Sequence, residues 1–193
     1  ELVQAARDGW NGAVGVQALK RDFDAAGDEA YVPRTQISEI GVFTLQRVDL
    51  DSWGYEGGLR LDRRELKSTV GNRDFSSASG SVGVFARPAA GWFLGLSLSR
   101  TSRAPTEAEL FADGPHIATR GYEIGDPDLN AEIATSLEGT IHYGDDRLQA
   151  DLHLFVVDYD GFIDLAPTGA VDDDLDVFAY VQTNARFHGF EAE

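Results

Sequence analysis

Residues 137–156, which read LEGTIHYGDDRLQADLHLFV, decide the fold of this 193-residue chain. Apolar or small side chains recur at every second position on both sides of the turn-forming tetrapeptide 144–147. A period of two residues indicates β-strands that have one apolar and one polar face. With a turn at 144–147, the pattern predicts a hairpin in which Leu137 faces Leu154 and Glu138 faces His153.

The same alternation continues through most of the chain. Uncharged apolar faces recur in the runs 53–61, 78–86 and 92–98, and their opposite faces are small, polar or charged. We predict an all-β protein, an antiparallel meander of about eight long strands. The predicted strands cover residues 9–20, 35–47, 53–65, 76–87, 91–100, 133–143, 147–159 and 178–192. The only helix predicted is a short one at 105–111, with Pro105 in its first turn.

The connections between these strands alternate in length. Tight turns are predicted near 49–51, 88–91 and 144–147, and they set Leu45 against Tyr55 and Ala86 against Trp92. Longer polar segments lie at 22–33, 66–75, 100–132 and 164–177. Aromatic residues cluster at the strand ends, by the tight turns at Trp53, Trp92 and Tyr143, and by the long segments at Tyr159, Phe162, Phe178 and Tyr180. These features are typical of an outer-membrane barrel, although a soluble β-sandwich shares the alternation.

Composition excludes several classes of function. The chain has 33 Asp and Glu against 16 Lys and Arg, for a formal net charge of -17, which disfavours nucleic-acid binding. The absence of cysteine excludes disulfides, thiolate metal sites and cysteine nucleophiles. No apolar run is long enough for a transmembrane helix. No constellation of a catalytic nucleophile is visible, so we expect no enzyme activity.

Four stretches in the second half of the chain resemble motifs of TonB-dependent outer-membrane receptors. Residues 99–111, SRTSRAPTEAELF, are similar to the S-x-x-x-R-A-P-S…E-L-F/Y stretch of that family. Residues 112–132, ADGPHIATRGYEIGDPDLNAE, are similar to D-G-P-H…F/Y-E-I-G-N-P-x-L-x-x-E, with Asp126 where Asn is usual. The runs 155–163, FVVDYDGFI, and 189–193, GFEAE, resemble the family's F-Y-x-D-F-x-D-F-I and G-x-E-x-E.

This resemblance implies a barrel of about 22 strands with a plugged lumen in the outer membrane of a Gram-negative bacterium. Such receptors import scarce nutrients such as metal ions, metal chelates or siderophores and cobalamin. Energy comes from the TonB complex through an N-terminal box. The implied partners are TonB, the plug domain, outer-membrane lipid and a small nutrient ligand, with no cofactor.

We expect residues 1–193 to be a partial barrel domain, an open segment from the C-terminal half of the barrel. The plug, the TonB box and the terminal strand are expected to be absent from it. A soluble β-sandwich that binds a ligand, or a small outer-membrane porin, is the alternative.

Candidate binding residues lie in the long segment 100–132. We predict ligand contacts at Asp113, His116, Tyr122 and Glu123. His116 is a possible metal ligand, because imidazole and carboxylate suit Zn²⁺ or iron, and a role in loop packing is the alternative.

Arg103 is predicted to anchor the same segment by pairing with Glu109 and Glu132. The alternative is bidentate binding of an anionic ligand together with Arg100. The acidic loops favour cationic or neutral cargo over anionic ferric siderophores.

His142 and His153 are predicted on the polar face, too far apart to share a metal ion. A hydrogen bond between Glu138 and His153 is the expected arrangement instead. The aspartates at 172–174 lack the spacing of a calcium loop and are predicted to be solvated.

Overall fold

A computed structural model describes residues 1–27 and 30–193 of the chain as one sheet of eleven strands with one short helix. The strands follow the spatial order β1-β2-β3-β4-β5-β6-β9-β10-β11-β8-β7. All neighbours are antiparallel except β8 and β11, which are parallel. Their bounds are β1 Leu2–Arg7, β2 Trp10–Phe23, β3 Thr35–Leu50, β4 Trp53–Ser68, β5 Asn72–Ala86, β6 Trp92–Arg103, α1 Glu107–Phe111, β7 Asp113–His116, β8 Gly121–Ile124, β9 Glu132–Gly144, β10 Gln149–Asp172 and β11 Leu175–Ala192.

The prediction of an all-β, open meander is confirmed. Over the described residues, β1 and β7 form the two edges of the sheet, and no second sheet covers it. In the same part of the chain, no helix is long and apolar enough to cross a membrane.

The two faces of the sheet differ sharply. In β6, Leu94, Leu96 and Leu98 pair with Ile141, Gly139 and Leu137 of β9, and the row continues to Leu152, Leu154 and Val156 of β10. Leu96 is 53% exposed and Leu59 is 66% exposed, so this apolar face has no protein cover. On the opposite, polar face, Ser99 Oγ and Ser136 Oγ lie 2.8 Å apart. A continuous exposed apolar surface marks a site of contact with lipid or with another protein.

Two predicted hairpin registers are wrong by two residues. Leu137 pairs with Val156 and not with Leu154, and Ala86 pairs with Leu94 and not with Trp92. In the first hairpin, Asp145 Oδ1 accepts hydrogen bonds from the backbone N–H groups of Arg147 and Leu148, each 2.8 Å long. These bonds close the turn within residues 145–148. An even shift keeps every side chain on its predicted face.

The predicted β3–β4 register is wrong by three residues. An odd shift moves the β3 side chains to the opposite face of the sheet from the one predicted. Leu45 pairs with Gly58, and Tyr55 pairs with Val48. Asp51, in the left-handed region with φ 60°, closes a two-residue turn that fixes this register. Phe43 consequently lies opposite Arg60 on the polar face.

Two of the predicted loops are mostly strand. The segment 66–75 contains only a short turn at 69–71, and 164–177 is the far end of the β10–β11 hairpin. Its tip is formed by Asp173 and Asp174, both at positive φ. The segments 22–33 and 100–132 do contain long connections, although residues 28–29 of the first lie outside the described residues.

The buried core lies at the end of the sheet that carries the long connections, which we call the long-loop end. There the segment 104–131, named the cap, packs on the ends of the strands. The core consists of Ile37, Leu66, Phe75, Ala104, Leu110, Phe111, Leu129 and Ile163.

The aromatic prediction holds at one end of the strands only. At the short-turn end, Trp92 and Tyr143 pack with ring centroids 5.0 Å apart. At the long-loop end, Tyr180 instead packs against the core. Tyr159 pairs with Ala134, in register with the polar face. Tyr180 and Tyr159 therefore do not belong to a second girdle on the apolar face, because Tyr180 packs under the cap and Tyr159 is in register with the polar face.

Candidate functional site

The cap contains the helix α1 near its start, and a capping-box sequence marks where this helix begins. Thr106 and Glu109 form a capping box around α1. Thr106 Oγ1 accepts a hydrogen bond from the backbone N–H of Glu109 (3.2 Å), and Glu109 Oε2 accepts one from the backbone N–H of Thr106 (2.7 Å). The predicted helix at 105–111 is thus present as a shorter turn of helix.

The structure brings together the three residues predicted as anchors. Arg103 at the end of β6 lies 2.9 Å from Glu109 Oε2 and 3.3 Å from Glu132 Oε2. Glu132 is buried, and its Oε2 also accepts a hydrogen bond of 2.9 Å from the backbone N–H of Ile163. These contacts join α1 to β6, β9 and β10.

A second cluster forms around Glu123 in β8. This carboxylate is 2% exposed, and three neighbouring side chains are within hydrogen-bonding distance of it. His116 Nδ1 lies 2.7 Å from its Oε1, Thr119 Oγ1 donates to the same oxygen over 3.0 Å, and the Tyr180 hydroxyl donates to Oε2 over 3.1 Å. The ring of Tyr31 stacks on His116 at 4.4 Å. A buried carboxylate is stable in its place when, as here, both of its oxygens accept hydrogen bonds.

The four predicted ligand contacts form two separate pairs. Tyr122 and Glu123 are neighbours in β8, so their side chains point to opposite faces. The Tyr122 hydroxyl donates to Asp113 Oδ1 over 2.9 Å on the exposed side. That hydrogen bond raises the pKa of Tyr122 above its ordinary value, with burial adding to the effect.

Sequence reasoning did not place Tyr31, Thr119 and Tyr180 at this site. Tyr180 lies 57 residues from Glu123, and no local signal links the two. Burial, followed by the charge of Glu123, raises the pKa of Tyr31. Of these three residues, only Thr119 could have been proposed from the sequence, because it lies within the motif stretch 112–132.

The cluster offers little room for a metal ion. Within the described ranges, no group of three or more His, Asp or Glu side chains is arranged to hold one. Both oxygens of Glu123 already accept hydrogen bonds, and Nδ1 of His116 faces the same carboxylate. Coordination here would displace those donors.

The histidines of the polar face lie nearer the short-turn end. His142 Nδ1 is 2.6 Å from Asp151 Oδ1, and His153 Nδ1 is 3.2 Å from Thr140 Oγ1. The predicted bond between Glu138 and His153 is wrong, because the two-residue shift in register moves Phe155 opposite Glu138.

A charged network that the sequence did not predict crosses the polar face beside the cap. Arg21 donates to the buried Glu107, and Arg64 Nη2 lies 3.9 Å from Glu107 Oε2. Arg60 Nε donates to Asp62 over 2.8 Å. Arg60, Asp62 and Arg64 help to line a cavity of about 220 Å³. Among the described residues, Arg64 Nε and Glu107 Oε2 are buried without a hydrogen-bond partner.

The fold is similar to that of solved transporter structures. The copper transporter OprC matches over 97% of this chain with a TM-score of 0.79 and 22% identity. The Serratia marcescens hemophore receptor HasR, in complex with its hemophore HasA and heme, matches over 98% with a TM-score of 0.76 and 19% identity. The FrpB iron transporter from Neisseria meningitidis matches over 98% with a TM-score of 0.71 and 19% identity. The chain covers 32%, 37% and 31% of those chains, respectively.

A family model described as TonB dependent receptor-like, beta-barrel matches residues 4–193. The match covers the strands, the cap and both faces of the sheet. With the ordered motifs at 99–132 and a single sheet whose apolar face is exposed, it leads to one assignment. The chain belongs to the TonB-dependent receptor family, as part of its β-barrel domain.

Proposed function

We propose that this chain is part of the wall of an outer-membrane receptor that imports a scarce nutrient with TonB-coupled energy. One observation carries the proposal: long antiparallel strands present a mostly apolar, exposed face on one side and a polar face on the other. In a bilayer, the strands satisfy their backbone groups laterally, the apolar face meets lipid and the polar face lines the lumen. The long-loop end then faces the outside of the cell.

The charged network on the polar face supports a plug within the lumen. In this network the side chains of Arg21 and Arg60 are 49% and 32% exposed. Cations that another domain covers need acidic or polar partners, so a polar group from another part of the protein is expected there. We propose that a plug domain of the full-length protein supplies it.

We propose that cargo meets the cap on its exposed side. Asp113 is exposed and the Tyr122 hydroxyl lies beside it, so this pair is accessible to a ligand. The His116 side chain is 31% exposed, whereas that of Glu123 is 2% exposed. In this proposal Glu123 orients His116, and His116, Asp113 and Tyr122 contact the cargo.

For the cargo we propose a metal ion, a metal chelate or siderophore, or cobalamin. The net charge of -17 favours a cationic or neutral species, because a negative surface repels anions. The similar solved structures include proteins described as copper and iron transporters and a heme–hemophore receptor, which is consistent with this class.

Uptake in cells tests the proposal. The full-length gene is deleted, and uptake of labelled copper, iron and heme is compared with that of the complemented strain, with and without TonB. We expect the accumulation of one cargo to require both proteins. Uptake that persists without TonB would indicate a porin. Full-length protein recovered in the soluble fraction would indicate the β-sandwich alternative.

The cap is tested in the same strains. An Asp113→Ala, Tyr122→Phe double variant should raise the cargo concentration needed for half-maximal uptake. The control is Asp146→Ala in the turn 145–148, at the opposite end of the strands. An unchanged concentration for the double variant would remove the pair from the binding surface.

A further inference from the structure

Tyr31 joins the connection between β2 and β3 to the cap. Its carbonyl oxygen accepts a hydrogen bond of 2.7 Å from the backbone N–H of Asp113, the first residue of β7. A Cβ atom on the next residue, Gly114, would lie 3.2 Å from Cα and Cβ of Tyr31, which is tighter than an ordinary contact. Glycine at this position lets the two segments approach closely. The backbone of Tyr31 is therefore fixed against the start of β7.

The ring of Tyr31 covers one face of the His116 imidazole. The two ring centroids are 4.4 Å apart and the ring planes differ by 17°, which is a stacked arrangement. At its edge, the same imidazole has Nδ1 at 2.7 Å from Glu123 Oε1. Two different segments thus hold the face and the edge of the ring, because a rotation of the imidazole out of its plane would break one contact or the other.

These contacts decide which atom of His116 is left for another molecule. An ionised carboxylate only accepts hydrogen bonds, so Glu123 selects the form of the ring that carries a proton on Nδ1. In the neutral ring, Nε2 then has a free lone pair, with which imidazole accepts a hydrogen bond or binds a metal ion. The His116 side chain is 31% exposed, so part of the ring is open to a ligand.

We propose that Tyr31 is a positioning residue for the cargo: its ring holds the imidazole of His116 in the orientation in which Nε2 contacts the cargo. Tyr31 acts through His116 and does not itself need to touch the cargo. The connection between β2 and β3 thereby takes part in a contact that the cap makes. This inference rests on the proposed contact between His116 and the cargo.

The hydroxyl of Tyr31 has a separate environment. Burial, followed by the charges of Glu123 and Glu107, raises the pKa of Tyr31, so the hydroxyl keeps its proton at neutral pH. Stacking on His116 requires only the aromatic ring. Phenylalanine should therefore replace Tyr31 without loss, whereas a side chain without a flat ring should not.

Uptake by the full-length receptor in cells tests the role of Tyr31. The probes are labelled copper, iron and heme, each added alone. The variants are Tyr31→Phe, which keeps the ring, Tyr31→Leu, which keeps bulk without a flat ring, and Tyr31→Ala, each made in the parent and in a His116→Ala background. The control is Asp24→Ala in the same connection. Asp24 Oδ2 lies 3.9 Å from Arg34 Nε, and the two side chains are 62% and 61% exposed, so little depends on this pair.

The expected result is a change in affinity and not in capacity. Tyr31→Leu and Tyr31→Ala should raise the concentration of the imported cargo needed for half-maximal uptake about threefold to tenfold, the effect of losing one aromatic stack. Tyr31→Phe and Asp24→Ala should match the parent. In the His116→Ala background, the Tyr31 substitutions should add nothing, because the imidazole that Tyr31 positions is gone. The maximal rate per receptor in the outer membrane should stay the same in all Tyr31 variants.

Three results would overturn the proposal. The first is an unchanged half-maximal concentration in Tyr31→Leu and Tyr31→Ala. The second is an effect of these substitutions that persists in full in the His116→Ala background, which would indicate general packing. The third is an equal effect of Tyr31→Phe, which would assign the role to the hydroxyl. If Tyr31→Ala does not reach the outer membrane, Tyr31→Leu decides, and failure of both to reach it would show a structural role and also overturn the proposal.

The parent and the His116→Ala variant separate this inference from the proposed function. If the parent imports none of the three probes, the proposed class of cargo fails, and the inference fails with it. If His116→Ala leaves the half-maximal concentration unchanged, the proposed contact at His116 fails. If His116→Ala raises that concentration and the Tyr31 variants do not, only the inference about Tyr31 fails.

Discussion

The wall, formed by the long strands β2–β6 and β9–β11, and the cap are stabilised in different ways, although both contribute strands to the same sheet. In the wall, neighbouring strands pair along regular ladders, and large apolar side chains such as Leu96 point away from the protein. In the cap, apolar residues such as Leu110 are buried, and carboxylates are buried with them at Glu107 and Glu123, as is that of Glu132 at the start of β9. The wall thus depends on its surroundings for stability, whereas the cap depends on its own hydrogen bonds and ion pairs.

The largest expected effect distinguishes the two faces of the wall. Leu96 lies in the middle of the apolar run of β6, and Ser97 is its neighbour on the polar face. Leu96→Arg should lower the free energy of unfolding of the full-length receptor in lipid vesicles by about 2–4 kcal/mol, the cost of a cation near the middle of a bilayer. Ser97→Arg should change it little. Urea titration of the inserted protein measures both, and equal effects would contradict the assignment of the faces.

The next largest effect is expected from a substitution that detaches the cap from the wall. Glu132→Ala removes the acceptor of the Ile163 N–H and one partner of Arg103. Leaving a buried donor and a cation without their carboxylate should cost about 2–3 kcal/mol of local stability. Hydrogen–deuterium exchange of residues 104–131 should then accelerate while β6 and β9 stay protected. Asp128→Ala, an exposed carboxylate in the same segment, is the control, and matching exchange in the two variants would rule out the anchor.

A finer prediction concerns the Glu123 cluster. Tyr180→Phe removes one of its donors while keeping the ring in the core, and should cost about 1 kcal/mol. Because Tyr180 belongs to β11, the loss should appear as faster exchange at β8 and β11 and not at α1. An unchanged exchange rate at β8 would show that the hydroxyl adds nothing to the cap.

The smallest expected effect is a change in titration. The hydrogen bond to Asp113 is the main cause of the raised pKa of Tyr122, so Asp113→Ala should lower that pKa toward the ordinary value. A raised pKa in the folded state gives stability that is present at neutral pH and lost as the pH rises through that pKa. The absorbance of tyrosinate, compared with that of a Tyr122→Phe variant, measures the pKa. A pKa that does not move would mean that the contact is not formed in solution.

The sequence predicts the wall better than the cap for a physical reason. Alternation is local, so the face of each side chain follows from residues two positions apart, such as Leu152 and Leu154. Registers were less predictable, because hydrogen bonds within the turn at Asp145 shift the pairing by two residues. The β3–β4 turn shifted the pairing of these two strands by three residues and placed Phe43 on the polar face.

The cap combines short-range and long-range contacts. Arg103 and Glu109 are close in sequence and Glu132 ends the next motif stretch, so their meeting could be predicted. Tyr31 comes from the connection between β2 and β3, Tyr180 comes from β11, and Glu107 pairs with Arg21, 86 residues away. No local pattern reports such contacts, because they depend on the strand order of the whole sheet.

Spin labelling can test whether one face of this sheet meets lipid and the other lines an aqueous lumen. Single cysteines are placed in turn at positions 94–100 of a cysteine-free full-length receptor in lipid vesicles, labelled, and exposed to oxygen or to a water-soluble nickel chelate. We predict an alternation in access with a period of two. Oxygen should reach labels at 94, 96 and 98, the chelate should reach 95, 97 and 99, and access of the chelate should return at position 100, where the apolar run of β6 ends. Equal access of the chelate to all seven positions would contradict the assignment of the two faces.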